Sequence, residues 1–481
     1  LGSPFVGNQL EGSPGTGTRL SFPRAEGFAL ELGGEAMLRH EDWIWFGTDY
    51  SFQFLRARVH ARGEWEHLTF YVEPQYVAMR GLPDDAVLAA PAGPSGMGAL
   101  YYAHNGEQHP DSVGLHQAWF ELGDFAAFDG SLKAGRFTYA SGMEHMNPAD
   151  GSKFNALKTT RLGDRMISSF EWSAFARAFD GAQCNISPLG DLKLTASWMY
   201  PTQGGWEKDF NETMDDVRIA ALALTLPKDS LVEGLEIGFF GYNYRDERSC
   251  TQRIDNCAGG PVSAAAIDIS TVGFHAVGLL PYGEGQFDYL LWAAHQSGDW
   301  YELEHRASAV AVEAGHQWLA LPLKPWLRAG WFFGAGDDDP ADGEHGSFFQ
   351  MAPGTRKYQL FPYYDLQNIE YAFAQLFLFP RKDVKLRLDY SVNRLAESAD
   401  RWYMGTGGTQ NAGNIFGYLG RPSSGENELS REASIMLQYQ LNASIAFELF
   451  YSHVWGGAVI EGVYPDDSEA DYFSIETTFK F

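Results

Sequence analysis

Apolar and polar residues alternate with period two along most of this chain. From 384 to 393, Val384, Leu386, Leu388, Tyr390 and Val392 interleave with Lys385, Arg387, Asp389, Ser391 and Asn393. Near the C-terminus Phe473, Ile475, Phe479 and Phe481 share one side of an extended segment, and Tyr472, Ser474, Glu476, Thr478 and Lys480 the other. Ile445, Phe447, Leu449 and Tyr451 repeat the pattern, with Phe450 breaking the rule. Side chains two apart share one face of a strand, so each run reads as a strand with a greasy and a wet face. The runs predict eighteen strands, at about 28–38, 51–62, 67–78, 114–122, 131–137, 177–187, 191–200, 216–226, 233–244, 267–279, 286–296, 307–317, 325–334, 368–379, 383–394, 430–440, 444–455 and 471–481.

The connections sharpen the picture. Taken backward from the C-terminus, LNA near 441–443 is short, 395–429 long, PRKD at 380–383 short and 335–367 long; further back, SPLG at 187–190 is short and 138–176 long. A soluble multi-sheet fold has no reason to gather its long loops at one end, whereas outer-membrane barrels join their strands by tight periplasmic turns and long extracellular loops. The expected fold class is all-β: a transmembrane antiparallel β-barrel of eighteen strands, sixteen being the alternative count. Residues 1–27 read as a mature N-terminal segment without basic start or apolar h-region, and 28–481 as a single outer-membrane barrel domain, since no linker divides the chain. Loops 138–176 and 395–429 are expected to fold inward and set the width of the pore.

Composition is consistent with this. No run of about 18 apolar residues exists, which excludes a helical span. Mean hydropathy is −0.27 although 45% of residues are hydrophobic, as strands wet on one face require. Trp318, Trp326, Phe379 and Trp455 lie near strand ends, where aromatic girdles form. A net charge of −27 argues against nucleic acid, leaving outer-membrane lipid and a hydrophilic solute as partners of a monomeric barrel. A structural barrel, plugged by its own loops or threaded by a protein partner, is the alternative, as is docking of a periplasmic protein.

The run SFQFLRARVHAR at 51–62 puts Arg56, Arg58, His60 and Arg62 on one face, a basic ladder inside an acidic protein. If the apolar face meets lipid, these cations line the lumen with Lys385, Arg387, Arg328 and Arg177, and rings of Arg and Lys favour anions. The competing reading is that they pair with lumenal carboxylates such as Glu73, Asp288 or Glu448. Cys250 and Cys257 bracket CTQRIDNC, and a disulfide there fits an oxidising compartment. The acidic loop containing Asp337, Asp338, Asp339 and Asp342 offers the hard oxygens calcium prefers, but without a recognised spacing, so a solvated loop is preferred and no cofactor is expected. Catalysis finds no support: Ser452 and His453 are adjacent and point to opposite faces, and neither G-x-S-x-G nor H-E-x-x-H occurs.

LKAGRFTYASG at 132–142 and RAFDGAQ at 177–183 resemble the Gly-Arg strand and the Arg-x-Phe-Asp-Gly element of the alginate-export family of outer-membrane porins. FDYLLWAAHQSGDW at 287–300, the Gly-Asp-rich loop after it and the segment reaching Asp365 are similar to further elements of that family. The resemblance implies an eighteen-strand barrel in a Gram-negative outer membrane, export of an anionic polysaccharide, and roles for Gly135, Arg136, Arg177, Asp180 and Asp365. A general diffusion pore for small solutes is the alternative. The family usually carries Gln where this chain has Phe137. By strict alternation Arg136 shares a face with Leu132 and Ala134, so lining the pore would require a bulge.

Overall fold

The computed structural model describes residues 20–25, 27–125, 130–144, 153–249, 266–354, 357–405, 410–412 and 420–481. Eighteen strands form the wall: β1 (Phe28–Trp45), β2 (Thr48–Trp65), β3 (Leu68–Arg80), β4 (Asp111–Phe125), β5 (Gly130–Phe137), β6 (Phe179–Leu189), β7 (Leu192–Pro201), β8 (Val217–Leu226), β9 (Leu235–Asp246), β10 (Ile267–Tyr282), β11 (Gly285–Trp300), β12 (Leu303–Trp318), β13 (Trp326–Gly334), β14 (Ile369–Arg381), β15 (Val384–Arg394), β16 (Glu428–Gln440), β17 (Ile445–Gly456) and β18 (Glu469–Lys480). Each predicted run falls on one of them. Neighbours in sequence pair antiparallel throughout, and β18 returns to β1 with Lys480 opposite Glu35, so the sheet closes without a free edge.

The seam shows how closely the ends fit. Gly34 and Phe481 exchange backbone hydrogen bonds of 2.8 and 3.1 Å. A Cβ at Gly34 would lie 2.5 Å from the Phe481 ring, so only glycine fits there. Below that point the short strand Leu20–Ala25 takes over the pairing with β1.

Alternation assigns the two faces. Leu388, Tyr390, Val392, Leu449, Phe473, Ile475 and Phe479 are exposed on the outer wall, while Lys385, Asp389, Glu448, Glu476 and Phe450 are buried inside. Trp318 and Trp455 stand on the outside as girdle residues do, but Trp326 points inward, its indole N–H donating to Asp288 at 2.7 Å. Long connections gather at one end with two exceptions. Phe46–Gly47 and Tyr301–Glu302 turn there in two residues, and the positive φ of both Phe46 (43°) and Gly47 (88°) gives the hairpin geometry that matches strand twist.

Loop 138–178 enters the barrel, as its sequence suggested. Its helix α2 (Lys153–Arg161; α1 is Gly96–Asn105, between β3 and β4) reaches the wall near the short-turn end, where Lys153 Nζ sits 4.5 Å over the Trp326 ring and Lys158 pairs with Glu236 at 2.7 Å. The second inward segment is 335–368 rather than 395–429. The described residues of the latter lie over it, with Trp402 donating to the Tyr363 carbonyl at 2.9 Å.

Loop 335–368 is pinned to the wall where Glu344–His345 pairs in parallel with Glu304 and His305 of β12. The two Nδ1 atoms are 2.8 Å apart, His305 Nε2 faces Gln296 Oε1 at 3.3 Å, and His345 lies flat on Trp300 at 4.1 Å. Of two ring nitrogens in such a contact one must donate and the other accept, so at least one ring is neutral. Burial first, and then His305, hold His345 well below the usual histidine range. Glu304 and Glu344, beside them in the register, are exposed. Because the fold favours the neutral ring, the contact contributes its full stability above about pH 6.5, and that contribution shrinks as pH falls from there toward the depressed value of the folded ring. Amides 344–350 should therefore exchange faster at pH 5 than at pH 7.5 after correction for intrinsic rates; equal protection would refute the pin.

Candidate functional site

Five consecutive strands contribute one inward residue each to a single hydrogen-bond register: Lys385 of β15 opposes Gln438, Gln438 opposes Glu448, Glu448 opposes Glu476, and Glu476 opposes Arg39 of β1. Across from this row stand the end of α2 and residues of the segments 163–172, 350–354 and 357–366. Between them lies a cavity of about 280 Å³ whose charged lining includes Arg39, Arg161, Lys357, Lys385 and Arg387 with Glu171, Asp365, Glu448 and Glu476.

Most of these charges are spent on one another. Arg39 forks onto Glu476 at 2.6 and 2.9 Å and donates to the Trp172 carbonyl at 2.9 Å. Arg387 holds Asp389 at 2.7 Å and the Tyr358 carbonyl at 2.7 Å. Glu448 accepts from Gln438 at 2.8 Å, and Asp365 accepts from the Leu366 amide at 2.8 Å. Two cations differ. Lys385 makes no hydrogen bond among the described residues and rests 5.4 Å over Phe377. Arg161 lies 5.4 Å over Phe373, its Nε without a hydrogen-bond partner and 3.7 Å from Glu313. Lys357 donates to the Gly163 carbonyl; burial and then Arg165 lower its pKa to about 7.

The basic ladder of β2 has another employment. Arg58 meets Glu171 of loop 138–178 at 2.7 Å, Gln75 at 2.6 Å and His116 at 3.3 Å, while Arg56 donates to the carbonyls of Glu171 and Ser173. His60 is 3.9 Å from Glu31, and Arg62 pairs with Glu64 at 2.5 Å. Arg328 is fully buried between Asp288 (2.9 Å) and Glu313 (3.0 Å). Of the predicted lining cations, only Lys385 and Arg387 border the cavity.

Two family-motif positions, Arg136 and Arg177, also sit differently from the expectation that they line the pore. β5 pairs with β6 without a bulge, leaving Arg136 on the outer wall, where it forks onto Asp180 at 2.7 Å and reaches the Leu115 carbonyl. The register simply keeps Arg136 with Leu132 and Ala134. Gly135 has φ 125°, and a Cβ there would lie 2.3 Å from the Ala118 carbonyl oxygen, so the strands could not approach with any other residue. Arg177 precedes β6 and is buried in the loop layer over Phe170 (5.9 Å), 3.4 Å from the Pro353 carbonyl, not in the cavity lining. Cys250 and Cys257 lie outside the described residues. In the acidic loop Asp337 accepts from the Asp339 amide at 3.3 Å, and among the described residues no group of three His, Cys, Asp or Glu side chains is placed to share a metal. Arg39, Arg161, Glu171 and Lys357 were not singled out in the sequence: Arg39 lies just past the run at 28–38, and the loops that carry Arg161, Glu171 and Lys357 have no alternation to place them.

The sequence model of the alginate export family matches residues 97–471. Among curated proteins, none matches. Similar solved structures include OccK2 (OpdF) of Pseudomonas aeruginosa, at 10% identity and a TM-score of 0.57, covering 94% of this chain and 97% of that one. OccAB1 of Acinetobacter baumannii is 9% identical with a TM-score of 0.55 over 94% and 96% of the two chains. OpdK of Pseudomonas aeruginosa with vanillate is 9% identical with a TM-score of 0.52 over 94% and 98%. At these identities the likeness is one of fold.

Proposed function

The chain belongs to the alginate export family of Gram-negative outer-membrane β-barrel channels, and from that premise we propose that it passes small hydrophilic anions, carboxylates first among them. One observation carries this reading: of the charges lining the cavity, Glu171, Asp365, Glu448 and Glu476 are engaged by donors, while Lys385 makes no hydrogen bond among the described residues and Arg161 has only a 3.7 Å ion pair to Glu313 behind the lining. Cations propped on aromatic faces in a partly dehydrated constriction attract an anion more strongly than the same charges in open water. A carboxylate is also the ligand in the vanillate structure of OpdK.

Size supports a monomeric solute. At about 280 Å³ the cavity lies at the lower end of the ~300–1,000 Å³ typical of small-molecule sites. An exported acidic polysaccharide, the substrate suggested by the family, would need loop 138–178 to leave the lumen. Selection is by diameter and charge, with no chemical step. The barrel is read as a monomer that holds no cofactor.

Reversal potentials in a planar bilayer under a salt gradient test the proposal. Wild type should prefer anions, K385E together with R161E should reverse the preference, and cation preference in wild type would overturn it. Lys357 adds a pH signature: charged below about pH 7 and neutral above, it should make the preference weaken between pH 6 and 8. Vesicle uptake decides size. A sugar-acid monomer should enter faster than its polymer, and equal rates would leave the anion preference standing while removing the size limit.

A further inference from the structure

We propose that the outer wall between β15 and β16 binds the phosphate of an anionic lipid in the leaflet at the long-loop end, with Arg394 and Arg431 as the two halves of the site. On β15 the outward residues run Val384, Leu386, Leu388, Tyr390, Val392 and then Arg394; on β16 they run upward as Tyr439, Leu437, Ile435, Ala433 and then Arg431. The apolar stretch from Val384 to Val392 rises about 3.3 Å per residue on a strand tilted roughly 40°, which gives about 20 Å of height against an apolar band of about 25 Å. Arg394 and Arg431 thus begin where hydrocarbon ends.

The register puts them together. Arg431 is opposite Val392, and Arg394, two residues on and past a register shift that sets it opposite Glu428, is its diagonal neighbour; such positions lie about 7–8 Å apart on a regular ladder, within reach of two guanidinium groups sharing one phosphate. Trp455, opposite Arg431 on β17 and 43% exposed, supplies the aromatic flank common at this depth.

What distinguishes the pair is that two arginines adjoin with little counter-charge; Arg80 and Arg306 also make no ion pair among the described residues, but they stand opposite Gln53 and Ser297 with no second arginine facing them. Elsewhere on the outer wall, Arg136 forks onto Asp180 at 2.7 Å and Arg245 holds Asp268 at 2.8 Å and Glu247 at 2.5 Å. Arg394 has only Glu428, at 3.8 Å and 67% exposed, and Arg431 has no ion pair among the described residues. In a chain with 62 acidic and 35 basic residues, two adjacent arginines left open toward lipid call for an anion from the membrane itself. Phosphate matches the guanidinium fork, forming paired charge-assisted hydrogen bonds that a zwitterionic headgroup, carrying its own cation, meets less well.

The purified barrel in neutral detergent, titrated with lipid A, with its dephosphorylated counterpart, and with inorganic phosphate, tests this by thermal unfolding and native mass spectrometry. Lipid A should bind and raise the unfolding temperature. R394Q/R431Q should bind it at least tenfold more weakly with unchanged single-channel conductance, because neither residue touches the lumen. Equal binding of lipid A by wild type and variant, equal binding of the dephosphorylated lipid, or saturation by inorganic phosphate alone would each overturn the proposal. Should the double variant fail to assemble, R431Q carries the same comparison, with R431K expected to recover only part of the affinity.

Discussion

Replacing Glu171 by alanine should widen the channel and increase its anion preference. Among the described residues Glu171 is the one carboxylate that loop 138–178 offers to the ladder of β2: it meets Arg58 at 2.7 Å, Arg56 at 3.7 Å and His116 at 3.6 Å. Arg56 also holds the Glu171 and Ser173 carbonyls, and Arg39 the Trp172 carbonyl. Arg56 and Arg58 are buried, with side chains only 3% and 8% exposed. Removing one partner of such a pair costs about 3–5 kcal/mol while the loop stays docked. The wall cannot move, since its strands are held on both sides. The cheaper response is for residues 168–173 to leave and water to enter, which hydrates both guanidinium groups and adds them to the passage. Single-channel conductance should rise by roughly a factor of two or more as the constriction opens, and the reversal potential should shift further toward anions. R58M should also release the loop but with little or no such shift, because it removes one of the two cations that opening exposes and leaves the Glu171 carboxylate to offset Arg56. Conductance unchanged in both variants would show that the loop is held by its other contacts.

This inverts what the ladder suggests in the linear sequence. Alternation assigns Arg56 and Arg58 to the lumen side of β2 correctly, because the period of a strand decides the face of every side chain once one face is known to meet lipid. It is silent on what stands across the lumen. The partner of Arg58 is 113 residues away, in a loop with no periodicity to place it. The strands themselves were legible for the same reason: each needs an apolar face of about ten residues and a turn at either end, both local properties. Arg136 shows the limit from the other direction. Carrying it over from a family motif required a bulge, whereas the period alone put it on the outer wall, where it is found paired with Asp180. Trp326 was misread because a tryptophan near a strand end suits a girdle equally well from either face, and only its hydrogen bond to Asp288 decides. Charges in a barrel wall thus betray their side but not their partner.

Glu313 is the position where a single change should do most damage to stability. It is fully buried on β12 and faces three guanidinium groups, those of Arg328 at 3.0 Å, Arg165 at 3.4 Å and Arg161 at 3.7 Å. Arg328 has a second carboxylate in Asp288, and Arg165 a neutral partner in the Tyr358 hydroxyl at 2.7 Å, but Arg161 depends on Glu313 for its ion pair. Arg161 also closes α2, where the helix dipole favours a cation. Glu313→Gln keeps the shape and removes the charge, leaving like charges packed without compensation; the expected loss is about 3–5 kcal/mol. That loss should fall on the inserted loop, since the ladders of the wall do not involve this side chain. Unfolding in denaturant should then show an early transition, reported by Trp292 and Trp326 beside the cluster, before the barrel itself melts. The decisive measurement is a double-mutant cycle with Arg165→Met. If charge imbalance causes the instability, removing one cation from the Gln variant restores part of what was lost, and the double variant is more stable than E313Q alone. Additive losses would mean instead that Glu313 acts by packing, and that the arginines are held by the aromatic faces beneath them, Arg165 by Trp292 and Phe332, Arg161 by Phe373 and Arg328 by Trp326.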